Sequence, residues 1–102
     1  MELKEFIDQN GISPFADWFD RLDPQAAAKV AVALARMELG NLSNVKGVGD
    51  GILEYRIDFG PGYRVYFGKD GAALTILLAG GTKKRQQRDI ETARAVDRIQ
   101  EP

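Results

Sequence analysis

Between residues 53 and 67 the chain alternates with a period of two on either side of Gly60-Pro61-Gly62. Leu53, Tyr55, Ile57 and Phe59 face one way, and Glu54, Arg56 and Asp58 the other. Past the turn, Tyr63, Val65 and Phe67 share one face, and Arg64 and Tyr66 the other. A period of two cannot be seated as a helix, so this stretch is a hairpin with an apolar face and a polar one. Lys69-Asp70-Gly71 predicts a second turn. ALTILLAGG then predicts a third strand, apolar on both faces and therefore central or covered.

The rest of the chain has to cover that meander. Leu3, Phe6 and Ile7 predict a short first strand within Glu2 to Asp8, broken by Asn10-Gly11. Ser13-Pro14 is a cap followed by proline at the first helical position. Phe15, Trp18, Phe19 and Leu22 then fall on one helix face, which makes Trp18 a core residue. Asp23-Pro24 repeats the device and starts a second helix, with Val30, Leu34 and Met37 on one stripe and a stop at Gly40. Residues 40–51 hold four glycines and read as a loop. Thr82 caps a last helix with Ile90, Ala93, Val96 and Ile99 on its stripe.

The order predicts one α+β domain over residues 1–102. An N-terminal strand plus a three-strand meander form a twisted antiparallel sheet, packed by an N-terminal helical hairpin, with a C-terminal helix. The hairpin of helices covers Leu53, Tyr55, Ile57, Phe59, Val65 and Phe67. Arg56, Arg64 and Tyr66 are left together on the opposite face, which is expected to be open to solvent. Strands lie about 4.8 Å apart, so these side chains can converge on one small anionic group. An arginine at such a place is ordinarily only solvated, or paired with a cross-strand acid such as Glu54 or Asp58.

The chain has neither cysteine nor histidine, which removes the thiolate, the usual general base and the commonest metal ligand. No cofactor or metal is expected. No apolar run approaches the roughly 20 residues that span a bilayer. The N-terminus lacks a signal-peptide pattern, so a cytoplasmic protein with no membrane partner is expected. Net charge is only −1, but it is unevenly spread. Residues 1–45 carry four basic and seven acidic side chains, residues 46–100 ten and seven. The densest point is Lys83-Lys84-Arg85-Gln86-Gln87-Arg88. Cations are poorly placed at a helix start, where the dipole favours anions, so this run is a candidate for binding a phosphate backbone.

Three stretches resemble the RelE/ParE toxin superfamily, and specifically its HigB-like, phage-derived addiction-module killer branch. They are SPFADWFDRLDPQAAAKVAVAL, ILEYRIDFGPGYRVYFGKDG and LTILLAGGTKKRQQRDIETA. The resemblance implies the toxin of a type II toxin–antitoxin pair, with a helix-turn-helix, HigA-like antitoxin as partner. Many such toxins are endoribonucleases that cut messenger RNA on the ribosome and so inhibit translation. ParE relatives share the fold and inhibit gyrase without cutting nucleic acid, and an inert member would only bind RNA or its antitoxin.

Residue by residue, Arg64 matches the strand arginine that holds the scissile phosphate. Lys84 matches the basic residue near the end of the last strand, with Lys83 and Arg85 beside it. Arg56 lies near the lysines of the preceding strand. Where relatives often place a catalytic tyrosine or histidine, this chain has Asp89 and Ile90; Tyr66 is the phenol left to serve instead.

Metal-independent RNA cleavage uses the 2′-hydroxyl as nucleophile on the neighbouring phosphorus. It needs a base at that hydroxyl, cations on the non-bridging oxygens and an acid at the leaving 5′-oxygen. Arg56 and Arg64 suit the cations, because a guanidinium grips phosphate in bidentate fashion. Lys83 or Lys84 is a candidate acid or base, since neighbouring positive charge favours loss of a proton. Glu54 is the alternative base. Lys83, Arg85 and Arg88 are candidates for holding flanking RNA.

Overall fold

The computed structural model describes residues 1–81 and 85–100, the last two as backbone only. The elements run β1 (Leu3–Glu5), α1 (Pro14–Phe19), α2 (Pro24–Glu38), β2 (Val45–Gly47), β3 (Leu53–Ile57), β4 (Tyr63–Asp70), β5 (Ala73–Gly80) and α3 (Gln86–Gln100). The strands form one sheet in the order β1-β5-β4-β3-β2. The α+β class and the three-strand meander are as the sequence predicts, and two particulars differ. Residues 40–51 are not all loop, because Val45–Gly47 pairs antiparallel with β3. The sheet is mixed, because β1 lies parallel to β5, with Leu3 opposite Leu74.

Both N-terminal helices begin as their caps dictate. The Ser13 hydroxyl accepts the Ala16 N–H at 3.0 Å and donates to Glu5 Oε1 at 2.7 Å, which fastens α1 to β1. Asp23 accepts the Ala26 N–H at 2.9 Å to open α2. At the other end of α2, Gly40 takes a φ of +93°. Its N–H reaches the Met37 carbonyl at 2.8 Å, and Asn41 reaches that of Arg36 at 3.0 Å. This paired closure needs a left-handed residue after the last turn, which glycine supplies without strain.

Phe15, Val30, Ala33 and Met37 pack on Tyr55, Ile57, Val65, Phe67, Leu74 and Ile76. Leu53 and Phe59, expected in this core, are half-buried against it. Trp18 packs on it too, edge-on to Tyr63 with ring centroids 5.6 Å apart, so the tryptophan is a packing residue.

The opposite face is not open, which corrects the sequence expectation. There Tyr66, Leu77 and Leu78 pack with Phe6, Ile52, Ile90 and Ala93, so α3 lies across it. The apolar stripe of α3 needs a partner, and the second face of β4–β5 provides it. A bulge assists. Phe67 pairs with Ile76 and Tyr66 with Leu78, so Leu77 is an extra residue and two successive leucines enter one cluster. Two glycines assist as well: a Cβ on Gly68 would collide with the Asp97 carboxylate, and one on Gly80 with that of Asp89. Arg94 closes the seam, donating to the Val48 carbonyl at 3.0 Å and pairing with Asp50 at 3.1 Å.

Gly80→Ala is therefore expected to lower stability by roughly 1–3 kcal/mol, the cost of an overpacked contact. Gly80→Ala/Asp89→Ala should recover most of it, because the colliding carboxylate is gone. Chemical denaturation of the two variants checks this; equal losses in both would place the strain elsewhere.

Candidate functional site

Strand register sets the candidate residues in two rows across the sheet. Lys46 stands opposite Glu54, Glu54 opposite Tyr66, and Tyr66 opposite Leu78. In the next row Arg56 stands opposite Arg64, and Arg64 opposite Gly80. Direct opposition puts Arg56 and Arg64 on one sheet face, as the period of two requires. The rows are polar towards β2 and β3. Towards β5 they close with an apolar residue and a glycine, and there α3 sits.

Exposure divides the block. Glu54 is 1% exposed, Arg64 5% and Tyr66 0%, so none is on a solvent face; α3 packs on Tyr66 and its first residue bonds Glu54. Arg64 thus differs from the expectation, and for a definite reason: alternation fixes which side chains share a face, not whether a later helix covers it. Truncating Arg64 is consequently not neutral for the fold. It removes a buried partner of Glu54, a change that costs about 3 kcal/mol or more at fully buried pairs.

Glu54 is the hub. Its Oε2 accepts Gln86 Nε2–H at 2.9 Å, from the first residue of α3. Its Oε1 faces Lys46 Nζ at 3.6 Å and Arg64 Nε at 3.9 Å, ion-pair separations too long for hydrogen bonds. Arg64 Nη1 donates to the Gly62 carbonyl at 3.1 Å, which anchors the guanidinium to the β3–β4 turn. Glu54 Oε1, Arg64 Nε and Tyr66 Oη are buried without a hydrogen-bond partner among the described residues. A buried polar atom left unpaired costs about 1–3 kcal/mol. Burial pushes the Tyr66 phenol up, the Glu54 and Asp89 carboxylates push it further, and Arg64 opposes them. The phenol is neutral at physiological pH, as tyrosine ordinarily is, and the shift makes it a weaker acid still.

The remaining candidates ring this block. Arg56 is exposed and pairs with Asp58 at 3.1 Å. Its guanidinium borders a groove of about 310 Å³ shared with Lys46, Glu54, Asp58 and Asn44. Arg85 and Arg88 are exposed at the start of α3. Lys83 and Lys84 lie outside the described residues, as do Thr82 and the Ile99 side chain. Asp89 stands beside the two arginines; burial raises its carboxyl, against the pull of Arg85 and Arg88. Among the described residues no group of acidic side chains is placed to hold a metal ion.

Sequence reasoning missed Lys46 and Gln86. Lys46 belongs to a three-residue strand inside a glycine-rich stretch, too short to show a period. Gln86 lies within a run read for its cations. The signal for Lys46 is available only once the register is known, since it is the residue opposite Glu54.

The family described as "Phage derived protein Gp49-like" matches residues 17–100, which include every strand of the two rows and α3. An uncharacterized protein of Haemophilus influenzae is 43% identical over 81 residues, spanning 78% of this chain and 82% of its own length.

The raised Asp89 carboxyl gives a pH test. A folded-state pKa above the unfolded value, about 3.9, means that ionised Asp89 opposes folding at neutral pH, and that this opposition vanishes below the unfolded pKa. Asp89→Asn should therefore raise Tm near pH 7. The advantage should shrink as pH falls through the folded-state pKa and be lost below about pH 4. Melting curves across that range decide it; a difference independent of pH would remove the electrostatic cause.

Proposed function

Because the chain belongs to the phage-derived, Gp49-like protein family, we propose that it is the toxin of a type II toxin–antitoxin pair, acting as a metal-independent endoribonuclease on ribosome-bound messenger RNA. On this reading it works in the cytoplasm, blocks translation, and is neutralised by a helix-turn-helix antitoxin. The observation that carries the reading is the cross-strand block of Glu54, Arg64 and Tyr66, with Lys46 and Arg56 at its open side.

The chemistry balances on these groups. The 2′-oxygen attacks the adjacent phosphorus while the bond from phosphorus to the 5′-oxygen breaks. A base takes the 2′ proton and an acid protonates the 5′-oxygen, leaving a 2′,3′-cyclic phosphate and a 5′-hydroxyl. Arg64 and Arg56 hold the non-bridging oxygens. Glu54 suits the base, and Tyr66 is the phenol placed to act as the acid, although the upward shift of its pKa weakens it in that role. Lys84 or Lys83 is the alternative acid or base, and Arg85, Arg88 and Lys83 hold the flanking strand. Gln86 donates to Glu54, so the first turn of α3 has to give way before a phosphate reaches Arg64. The ribosome supplies alignment of the message, which is worth several kcal/mol when two reactants are held in register.

The burial of Arg64 and Tyr66 favours a second reading. There the trio is internal structure, and only Lys46, Arg56, Arg85 and Arg88 meet a partner, as in a gyrase inhibitor or a non-catalytic RNA-binding member.

A translating extract with mapped RNA ends separates the two. The nuclease reading expects cuts at codon boundaries. Arg56→Ala should lower cleavage about 10–100-fold, while stability stays within about 0.5 kcal/mol because the side chain is exposed. Tyr66→Phe should lower cleavage at least about 100-fold. It should change stability by no more than about 1 kcal/mol, since the hydroxyl makes no well-formed hydrogen bond among the described residues. Full cleavage by folded Tyr66→Phe would remove Tyr66 from the chemistry. No cleavage at all, with DNA breaks in the presence of gyrase, would replace the nuclease reading by the inhibitor.

A further inference from the structure

The helix α2 has an apolar face too many. Ala26, Val30, Ala33 and Met37 are buried against the sheet. On the opposite side of the same helix, Ala28, Val32, Ala35 and Leu39 follow one another at spacings of four, three and four, and all are exposed. That spacing makes a straight seam, the arrangement with which one helix meets another. Alanine alone would be explained by its high helix propensity. Val32 and Leu39 are not: a β-branched residue is a poorer helix former, yet Val32 stands 49% exposed, and Leu39 stands 88% exposed at the helix end.

The flank of the seam carries a sign. Lys29 and Arg36, one heptad apart, border it on the side facing β3, and both are exposed. Between them and β3 runs a groove of about 300 Å³, lined on the strand side by Tyr55, Arg56, Ile57 and Asp58. The acid of that groove, Asp58, is engaged by Arg56 at 3.1 Å. Lys29 Nζ lies over the Phe59 ring, 5.8 Å from its centroid. An apolar seam beside these cations is complementary to an apolar seam beside anions. A second copy of this chain fits poorly, because antiparallel packing about Val32 and Ala35 sets Lys29 of one helix against Arg36 of the other.

We propose that the outer face of α2 docks an acidic amphipathic helix of another protein, with its apolar stripe on Ala28, Val32, Ala35 and Leu39 and its carboxylates on Lys29 and Arg36. The surface lies on the far side of α2 from the sheet and does not depend on whether the chain cuts RNA.

The test uses the full chain and a synthetic peptide of three heptads with leucine at a and d and glutamate at e and g. A second peptide carries lysine at e and g. Like charge keeps each peptide from pairing with itself. Fluorescence anisotropy should show the glutamate peptide binding at least tenfold more tightly than the lysine peptide. Amide chemical-shift changes should centre on residues 28–39. Val32→Asp should weaken binding at least tenfold, and so should Lys29→Glu/Arg36→Glu. All these positions are exposed, so Tm should hold and a loss of binding is not a loss of fold. Three results would overturn the proposal: equal binding of both peptides, shifts centred elsewhere, or sedimentation showing a wild-type dimer that Val32→Asp dissociates. Protection of residues 28–39 by a single-stranded RNA oligonucleotide in place of the peptide would overturn it as well.

Discussion

The Asp89 carboxylate occupies the space where a side chain on Gly80 would begin, and Asp97 does the same at Gly68. With those two positions bare, α3 lies close enough to β4 and β5 for Ile90 and Ala93 to bury Tyr66, Leu77 and Leu78. The central strands become apolar on both faces, as ALTILLAGG foretells, and a half-open antiparallel sheet becomes a three-layer structure. The same contact decides the state of the site. Gln86, the first residue of α3, is what pairs with Glu54, and Ile90 and Ala93 above it help to remove Tyr66 from water.

The signals that proved legible were those with a period or a cap. Ser13-Pro14 and Asp23-Pro24 open α1 and α2 because each carries its own hydrogen-bond acceptor and a proline already at helical φ. Alternation in residues 53–67 places Arg56 and Arg64 on one face, and their direct cross-strand pairing follows. What the pattern could not carry was burial. Arg64 and Glu54 read as wet because they are charged, yet a charged residue enters a core when another charge meets it there. The stripe of α3 was visible, but nothing local says which surface it will cover. β2 escaped because three residues with a glycine at one end have no period; only pairing with Leu53, Glu54 and Tyr55 defines it as a strand.

Charge follows the same division between local and assembled structure. Arg85 and Arg88 oppose the dipole of the helix that begins at Gln86. Asp89, in the first turn, has the dipole and two arginines in its favour, and still its carboxyl is raised. Burial therefore outweighs both attractions at that position. Arg85 and Arg88 are left exposed, with part of their field spent on Asp89 and the rest directed outward. Around the sheet, Lys46 and Arg56 border the groove beside the Glu54–Arg64 block, while Lys29 and Arg36 border the outer seam of α2. Arg56 touches both grooves, so the two surfaces adjoin at a single side chain.

An apolar trio at positions 54, 64 and 66 would hold α3 at least as well. Replacing a buried ion pair by packed hydrophobic residues is often neutral or stabilising by about 1–4 kcal/mol. The chain instead keeps a carboxylate and a guanidinium 3.9 Å apart, and beside them a phenol whose hydroxyl makes no well-formed hydrogen bond among the described residues, all within one patch. Each group left short of a hydrogen bond subtracts from the contact between α3 and the sheet, and each is a group that a phosphate diester can satisfy. Arg64 Nε can donate to a non-bridging oxygen, Tyr66 Oη to an ester oxygen, and Glu54 Oε1 can accept from a ribose hydroxyl. On the nuclease reading proposed above, the atoms short of a hydrogen bond and the atoms the reaction would need are the same three. On that reading, RNA that displaced the first turn of α3 would supply the partners these atoms lack.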